Sequence, residues 1–471
     1  MQRLKGAIST VPPLEVQDRE RRPMALLITH ARLATLGQQP QIVEDGALLI
    51  EGDRIAALGT TTELATRYPA VERWDADGQM VLPASICAHT HFYGAFARGM
   101  SVPGDPAASF PQLLQQLWWR LDKALTLEDV RYSALVCLSD AIRHGTTTLI
   151  DHHASPRAIE GVLDVIAEAV EEAGVRACLC YEVSDRDGPA CAQAGISENI
   201  RFIEAQKRAQ RSRLAASFGL HASFTLSDET LADCVAAARQ AGSGFHVHVA
   251  EDLSDQEDAL RRYGQRVVHR LNRAGVLGPA TIAVHCVHVD ESEIEVLAET
   301  GTWVTHQPRS NMNNGVGVAP VERMVRAGVK VGLGNDGFSN QMFAEMKAAC
   351  LVHKLAQRDP RAMPPDLVMR LACAENARLA QVFWPELKLG ELSVGASADL
   401  VFLDYHPITP LTAENLAGHV IFGVEASAVT ATVCAGRILM RDRCLLTLDE
   451  EAITARSREL AAQVWRRAAG L

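Results

Sequence analysis

The chain has 471 residues, 48% of them hydrophobic, and its 57 acidic against 46 basic side chains give a formal charge of −11. That length can bury a large core and suits one big domain with a smaller companion, while the charge leaves no basic footprint for nucleic acid or for an anionic membrane. No run of about 18 uninterrupted apolar residues occurs, so neither a membrane span nor a secretion signal is expected, and eleven scattered cysteines without C-x-x-C spacing fit reduced thiols in a cytoplasm.

Residues 1–23, with Pro12, Pro13 and the charged run Asp18–Arg22, are expected to form a flexible leader, and Met24 is an alternative start. Leu26–Leu58 and Gly390–Met440 carry short alternating runs with turn signals at Glu51-Gly-Asp53, Gly395–Asp399 and Ala435-Gly-Arg437. The two ends are expected to build one small β-sandwich, from residues 24–80 and 386–447, beside an α/β domain spanning 81–385. Residues 448–471 read as a closing helix.

Within 81–385, β-branched apolar runs alternate with stretches of helical period. The strand-like runs end near His91, His152, Ser184, His221, Glu251, His288, Asn311 and Asp336. Helices are expected at Leu127–Arg143, Ala158–Ala173, Ser227–Ala241 and Glu291–Glu299, each followed by a glycine suited to a helix stop. Strand and helix alternating eight times predict a (β/α)₈ barrel, whose chemistry sits at the C-terminal ends of the strands.

Polar residues cluster at those ends. His89 and His91 lie two apart on the first strand and so share a face. With His248 on the fifth strand and Asp336 on the eighth they give three imidazoles and a carboxylate. This set suits one divalent ion per chain, Zn²⁺ in preference to Fe²⁺, with room for a water. Glu251 follows His248 by three residues and is placed to move protons at that water; as a structural residue it would simply open a helix over 251–264. His285 faces the same mouth as an electrophilic helper, or is a buried hydrogen-bonded histidine. His246 and His288 read as supporting neighbours, and Asp151-His152-His153 as substrate-facing or supporting residues, because no further ligands for a second metal are visible there.

The segment Phe92–Thr126 is long and carries Tyr93, Arg98, Phe110, Trp118 and Trp119. It can stack as a lid on a flat heterocycle; equally, Leu113, Leu114, Leu117, Trp118 and Leu121 have the spacing of a helix packed on the barrel. Trp119, Ser184, Arg186, His221, Arg309 and Asn311 are the expected substrate contacts at the barrel mouth.

Pro83 through His91, His248-x-x-Glu251, Ala283–Cys286, Pro308–Asn311 and Leu333–Gly337 together resemble the amidohydrolase superfamily, in its deaminase and chlorohydrolase branch. The resemblance runs from about residue 25 to 445. It is narrowest toward the aminohydrolases linked by genome context to selenium and purine metabolism, through Leu117–Lys123, Asp151–Ser155, Tyr181–Gly188 and Gly219–Thr225. Ala84 departs from a glycine common at that turn in the family. The resemblance implies one metal on His89, His91, His248 and Asp336, with Glu251 and His285 as helpers; the lysine that bridges two metals in binuclear members has no counterpart at the ends of the third and fourth strands. It also implies a homo-oligomer. The expected reaction is hydrolytic deamination of an amino-substituted purine, pterin, pyrimidine or related ring, with Asp336 taking a proton from water and Glu251 relaying one to the departing ammonia. Loss of chloride or an alkylamine, opening of a cyclic amide, and a non-catalytic scaffold are the alternatives.

Overall fold

The computed structural model describes residues 25–101, 104–209 and 211–471; the expected leader, 1–23, and Met24 lie outside the described residues. The chain opens with β1 (Ala25–Ala34), β2 (Ile42–Glu51), β3 (Arg54–Thr60), β4 (Glu72–Asp75) and β5 (Met80–Pro83). It then enters the barrel through β6 (Ser85–Thr90), β7 (Thr146–Asp151), β8 (Arg176–Leu179), β9 (Leu214–Ala216), β10 (Phe218–Ala222), β11 (Phe245–Val249), β12 (Ile282–His285), β13 (Trp303–His306) and β14 (Lys330–Leu333). Last come β15 (Leu400–Leu403), β16 (Val429–Cys434), β17 (Arg437–Arg441) and β18 (Cys444–Leu445).

Every pairing within the barrel is parallel. β6 to β9 form one run and β10 to β14 another, and β9 and β10 are two halves of the fourth strand, interrupted at Ser217. Single bridges from Val183 to Leu220 and from Thr90 to Asp336 join the runs and close the barrel. At the closure His89 O accepts from both Asn335 N (2.9 Å) and Asp336 N (3.1 Å). Gly334 makes this approach feasible, because a Cβ there would lie 2.7 Å from the His89 backbone N and O.

Helices cover the outside, with ends set by ordinary capping chemistry. Thr126 and Asp129 form a capping box on Leu127–Arg143, as do Asp290 and Glu293 on Glu291–Glu299, and Gly174 and Gly264 stop their helices in the left-handed conformation. The helix expected from Ala158 starts only at Val162, after a left-handed Gly161. Several strands stop short of their runs; the third ends at Leu179, with only single bridges at Tyr181 and Val183 beyond it. The sixth ends at His285, where His285 and Cys286 adopt positive φ, and the seventh ends at His306 because Pro308 begins a helix, Pro308–Asn314, at the position where a missing N–H costs nothing.

Both chain ends build one nine-stranded sheet, in the order β18-β17-β16-β15-β5-β1-β2-β3, with β4 added to β1. Met80–Pro83 belongs to this sheet, pairing with β1 and β15, and the barrel begins just beyond Ala84. The sheet folds back on itself: Ile55 N, on β3, donates to Ala396 O (2.9 Å), and Trp74 stacks on Phe402 with ring centroids 4.4 Å apart. Its contact with the barrel contains a charge. Arg176, 1% exposed at the start of β8, donates to both carboxylate oxygens of Asp399 (3.3 Å each), to Thr148 Oγ1 (3.0 Å) and to Ser397 Oγ (3.3 Å).

The closing helix, Glu450–Ala469, lies against Leu127–Arg143 and against the short helix Trp119–Ala124. Trp465 Nε1 donates to Phe96 O (2.7 Å) and Arg467 Nε to Ala124 O (2.7 Å), which ties this helix to the segment that lines the barrel mouth.

Candidate active site

The side chains of β6 and β11 converge at the barrel's C-terminal end. His89, His91 and His248 place one ring nitrogen each within 4.8 Å of the other two. Their other ring nitrogens are occupied: His91 Nδ1 donates to His152 O (2.5 Å), His248 Nδ1 to His221 O (2.9 Å), and His89 Nδ1 meets His246 Nε2 (2.9 Å). Donation to those carbonyls leaves Nε2 of His91 and of His248 as the ligand atoms, each with a lone pair once it carries no proton, and these two nitrogens lie only 3.4 Å apart. His89 Nε2 is buried with no hydrogen-bond partner among the described residues. Convergent lone pairs in a buried place need a cation between them. Asp336 supplies a carboxylate to the same spot, with Oδ1 at 3.0 Å from His91 Nε2 and 3.7 Å from His89 Nε2. Three imidazoles and one carboxylate therefore fit a single divalent ion.

Electrostatics agree with that fit. Burial holds His89 down to about 3, so it is neutral and available as a ligand. Burial also opposes charge on His91, but the hydrogen-bonded Asp336 carboxylate overrides it and lifts His91 to about 9. A proton on His91 therefore stands in for the metal below pH 9. Because binding must displace it, metal affinity is expected to rise by roughly tenfold per pH unit between about pH 6.5 and 8.5, as read by competition with a chelator. A flat profile would show that no ligand proton is displaced.

A second group sits beside the first. Glu251 Oε2 lies 3.3 Å from His285 Nε2, whose other nitrogen meets Asn311 Oδ1 at 2.8 Å, and Asp336 Oδ2 lies 3.8 Å from the same Nε2. Burial, then the charge of Asp336, raises the Glu251 carboxyl well above the usual carboxylate range, which favours its protonated form. Asn314 Nδ2 donates to Glu251 Oε1 (3.2 Å), and Ser310 Oγ donates to Asp336 Oδ2 (2.5 Å). Ala250, His285 and Asp336 all have positive φ. Such strain, about 1–3 kcal/mol per residue, marks the strand ends where side chains are aimed at the site.

A pocket over these groups opens to solvent. His91, His248, Glu251 and Asp336 form its floor, and Tyr93, Phe110, Leu114, Trp118, Trp119 and Asp122 contribute one wall. In the long segment after β6, Leu121 packs in the core while Tyr93, Phe110, Trp118 and Trp119 line the pocket.

Among the expected substrate contacts, Trp119 and His221 line the pocket. The others lie behind its wall. Arg309 is spent on Glu345 (2.5 Å) and Ser339 (2.6 and 3.1 Å), the Ser184 hydroxyl accepts from Arg186 N (3.3 Å), Asn311 holds His285, and Arg186 donates to Asp122 Oδ2 (2.5 Å). His152 lies with its Nδ1 3.3 Å from Glu182, and this pair together with His248 makes a further group of potential ligand atoms. Sequence reasoning passed over Asp122, Glu182, Ser310 and Asn314. Two signals for them existed: Asp122 follows Trp119 by three residues and Asn314 follows Asn311 by three, each pair on one helix face.

A model of the amidohydrolase family matches residues 80–439, and a bacterial imidazolonepropionase-like composite domain matches residues 46–70. The 5′-deoxyadenosine deaminase of Methanosarcina mazei is 31% identical over 443 residues, covering 93% of this chain and 98% of that protein. The 5-methylthioadenosine/S-adenosylhomocysteine deaminase of Syntrophobacter fumaroxidans is 33% identical over 449 residues, with coverage of 93% and 98%. The crystal structure of an adenosine deaminase from Xanthomonas campestris with bound zinc shares the fold, with a TM-score of 0.82 at 24% identity over 95% of this chain and 99% of that one. The chain belongs to the amidohydrolase family, in its deaminase and chlorohydrolase branch.

Proposed function

We propose that this protein is a metal-dependent hydrolytic deaminase that replaces the amino group of an N-heterocycle with oxygen and releases ammonia. The observation that carries the reading is the convergence of His89, His91, His248 and Asp336 on one place, with Glu251 and His285 3.3 Å apart beside it. In this reading those four residues hold Zn²⁺, with Fe²⁺ as the alternative. When bound, the ion supplies Lewis acidity that brings the pKa of water to roughly 7.

The chain's own groups do the rest. Asp336, fixed by Ser310, accepts a proton from water at Oδ2. Glu251 gives its proton to the ring nitrogen next to the reacting carbon, which makes that carbon more electrophilic; the proton taken by Asp336 then passes to the departing amino group, and the hydroxyl that becomes the product carbonyl returns its proton to Glu251. His285 is locked by Asn311 with Nε2 facing Glu251, so it can exchange a proton with that carboxyl and steady the oxygen that becomes the product carbonyl.

An adenine ring carried on a small 5′-modified nucleoside is the favoured substrate. Deaminases of such nucleosides are the relatives this chain matches over nearly its whole length. No helix among the described residues is long and apolar enough to cross a membrane, and all eleven cysteines are unpaired; the latter supports a reducing cytoplasm. A homo-oligomer belongs to the same proposal.

Ammonia release from zinc-quantified protein over a panel of aminopurine nucleosides, aminopterins, aminopyrimidines and triazines tests the reading. Turnover with about one metal per chain, lost in His89→Ala, is the expected result. Silence across the panel with metal still bound overturns deamination in favour of another leaving group.

A further inference from the structure

Two of the three histidines at the metal position give their second ring N–H to a main-chain carbonyl, which can only accept: His91 Nδ1 to His152 O and His248 Nδ1 to His221 O. His89 differs, because its Nδ1 meets another imidazole, His246 Nε2, at 2.9 Å. A neutral imidazole carries its proton on either nitrogen, so His246 Nε2 accepts in one tautomer and donates in the other. Only the accepting tautomer suits the site. It keeps the His89 proton on Nδ1 and leaves Nε2 with a lone pair. The donating tautomer drives the His89 proton to Nε2, the atom aimed at the metal position, or sets two N–H groups against each other.

The far side of the His246 ring selects between them. His246 Nδ1 faces Cys180 Sγ at 3.7 Å, and that sulfur lies 3.5 Å from Asp151 O. Burial raises the Cys180 thiol well above its ordinary range, so it keeps its hydrogen. Asp151 O can only accept, so the S–H points there and leaves the sulfur lone pairs for the His246 Nδ1–H. Hydrogen bonds then run one way, from His89 Nδ1 to His246 Nε2, from His246 Nδ1 to Cys180 Sγ, and from Cys180 Sγ to Asp151 O. His89, His246 and Cys180 are all fully buried, which disfavours a second proton on the His246 ring and keeps solvent from replacing a lost member.

We infer that His246 and Cys180 are positioning residues that fix the tautomer of His89 and so hold its Nε2 ready for the metal. The inference rests on the metal centre of the proposed function and says how the chain prepares it. Cys180 acts through His246, and the thiol suits the place because one small group both donates and accepts.

Zinc affinity by chelator competition, with the proton spectrum of the cobalt-loaded protein, tests this. Bound Co²⁺ moves the ring N–H signal of each ligating histidine clear of the other resonances, so His89, His91 and His248 should give one such signal each. Cys180→Ala takes away the acceptor for His246 Nδ1–H. It is expected to weaken zinc binding by about 5- to 50-fold and to shift or erase one of the three signals while the other two stay. Cys180→Ser, whose hydroxyl also donates and accepts, should remain within about threefold of the native affinity. His246→Gln offers His89 Nδ1 an amide oxygen and has no tautomers, so it should bind zinc nearly as the native protein does; His246→Leu should lose about 10- to 100-fold. In the His246→Gln background Cys180→Ala should cost less than it does alone, since no tautomer is left to select.

Native affinity and three unmoved signals in Cys180→Ala overturn the inference. Equal losses in Cys180→Ala and Cys180→Ser with all three signals moved overturn it too, because they mark a packing defect. If Cys180→Ala does not fold, Cys180→Val, which fills the volume without accepting a hydrogen bond, is compared with Cys180→Ser in the same way. No turnover enters these measurements, so a protein that binds metal but releases no ammonia sinks the deaminase reading and leaves this inference standing. A native protein that takes up no metal overturns both.

Discussion

Replacement of Glu251 by glutamine is expected to leave the metal content unchanged and to lower turnover by about 10²- to 10⁴-fold, the usual worth of a positioned proton donor. The amide keeps the size of the side chain and can still accept from Asn314, so the pocket floor keeps its shape. What goes is the proton. In the native protein burial and the neighbouring Asp336 raise the carboxyl well above the usual carboxylate range and so favour its protonated form, and His285 faces it at 3.3 Å. Glutamine can neither deliver that proton to the ring nor take one back from the hydroxyl that becomes the product carbonyl. The loss should fall on kcat, with substrate affinity little changed, and full turnover in this variant would remove Glu251 from the mechanism.

A second large effect is expected far from the site, at the joint between barrel and flanking sheet. Asp399→Asn strips the counter-charge from Arg176, a guanidinium that water does not reach. Breaking one side of a buried pair costs about 3–5 kcal/mol, because the surviving charge stays in a low-dielectric place without its partner. Asp399 also accepts from Ala435 N at Oδ1 (3.1 Å), a bond that the asparagine oxygen can keep, so the cost falls on the lost charge. The urea midpoint should fall with little change in slope. Arg176→Met, which removes the charge and keeps much of the volume, should cost less; a smaller loss in Asp399→Asn than in Arg176→Met would contradict this account.

Much of the site was legible because period and position coincide. His89 and His91 are two apart on a strand, His248 closes the fifth strand, and Asp336 follows the eighth, so a barrel brings them together without any knowledge of side-chain direction. The barrel itself was legible from alternation, and the helix ends from their caps. Other features had no such signal. Arg309 and Asn311 share a segment with Ser310, and only the helix that Pro308 starts decides that Ser310 meets Asp336 while Arg309 turns away to Glu345. The ends of the sixth and seventh strands were hidden for a related reason. Their apolar runs continue past the point where backbone strain at His285 and Cys286, or a proline, stops the pairing. Asp122 and Glu182 are buried acids, and their placement depends on tertiary partners, above all Arg186.

The nine-stranded sheet has a bearing on how the protein is made. In the order of synthesis β5 and Arg176 emerge long before β15 and Asp399, which are their partners. A nascent chain that has completed all eight barrel strands therefore still carries an open sheet edge at β5 and an unneutralised guanidinium at the barrel's flank. Both are features that invite wrong pairings. The helix Glu450–Ala469, which steadies the segment bearing Trp119 and Asp122, arrives later still. Folding in the order of synthesis thus leaves the sheet edge open until β15 is made and the barrel mouth unsupported until Glu450–Ala469 is made, and a chain cut short before them would present itself to proteases unfinished at its edge and at its pocket alike.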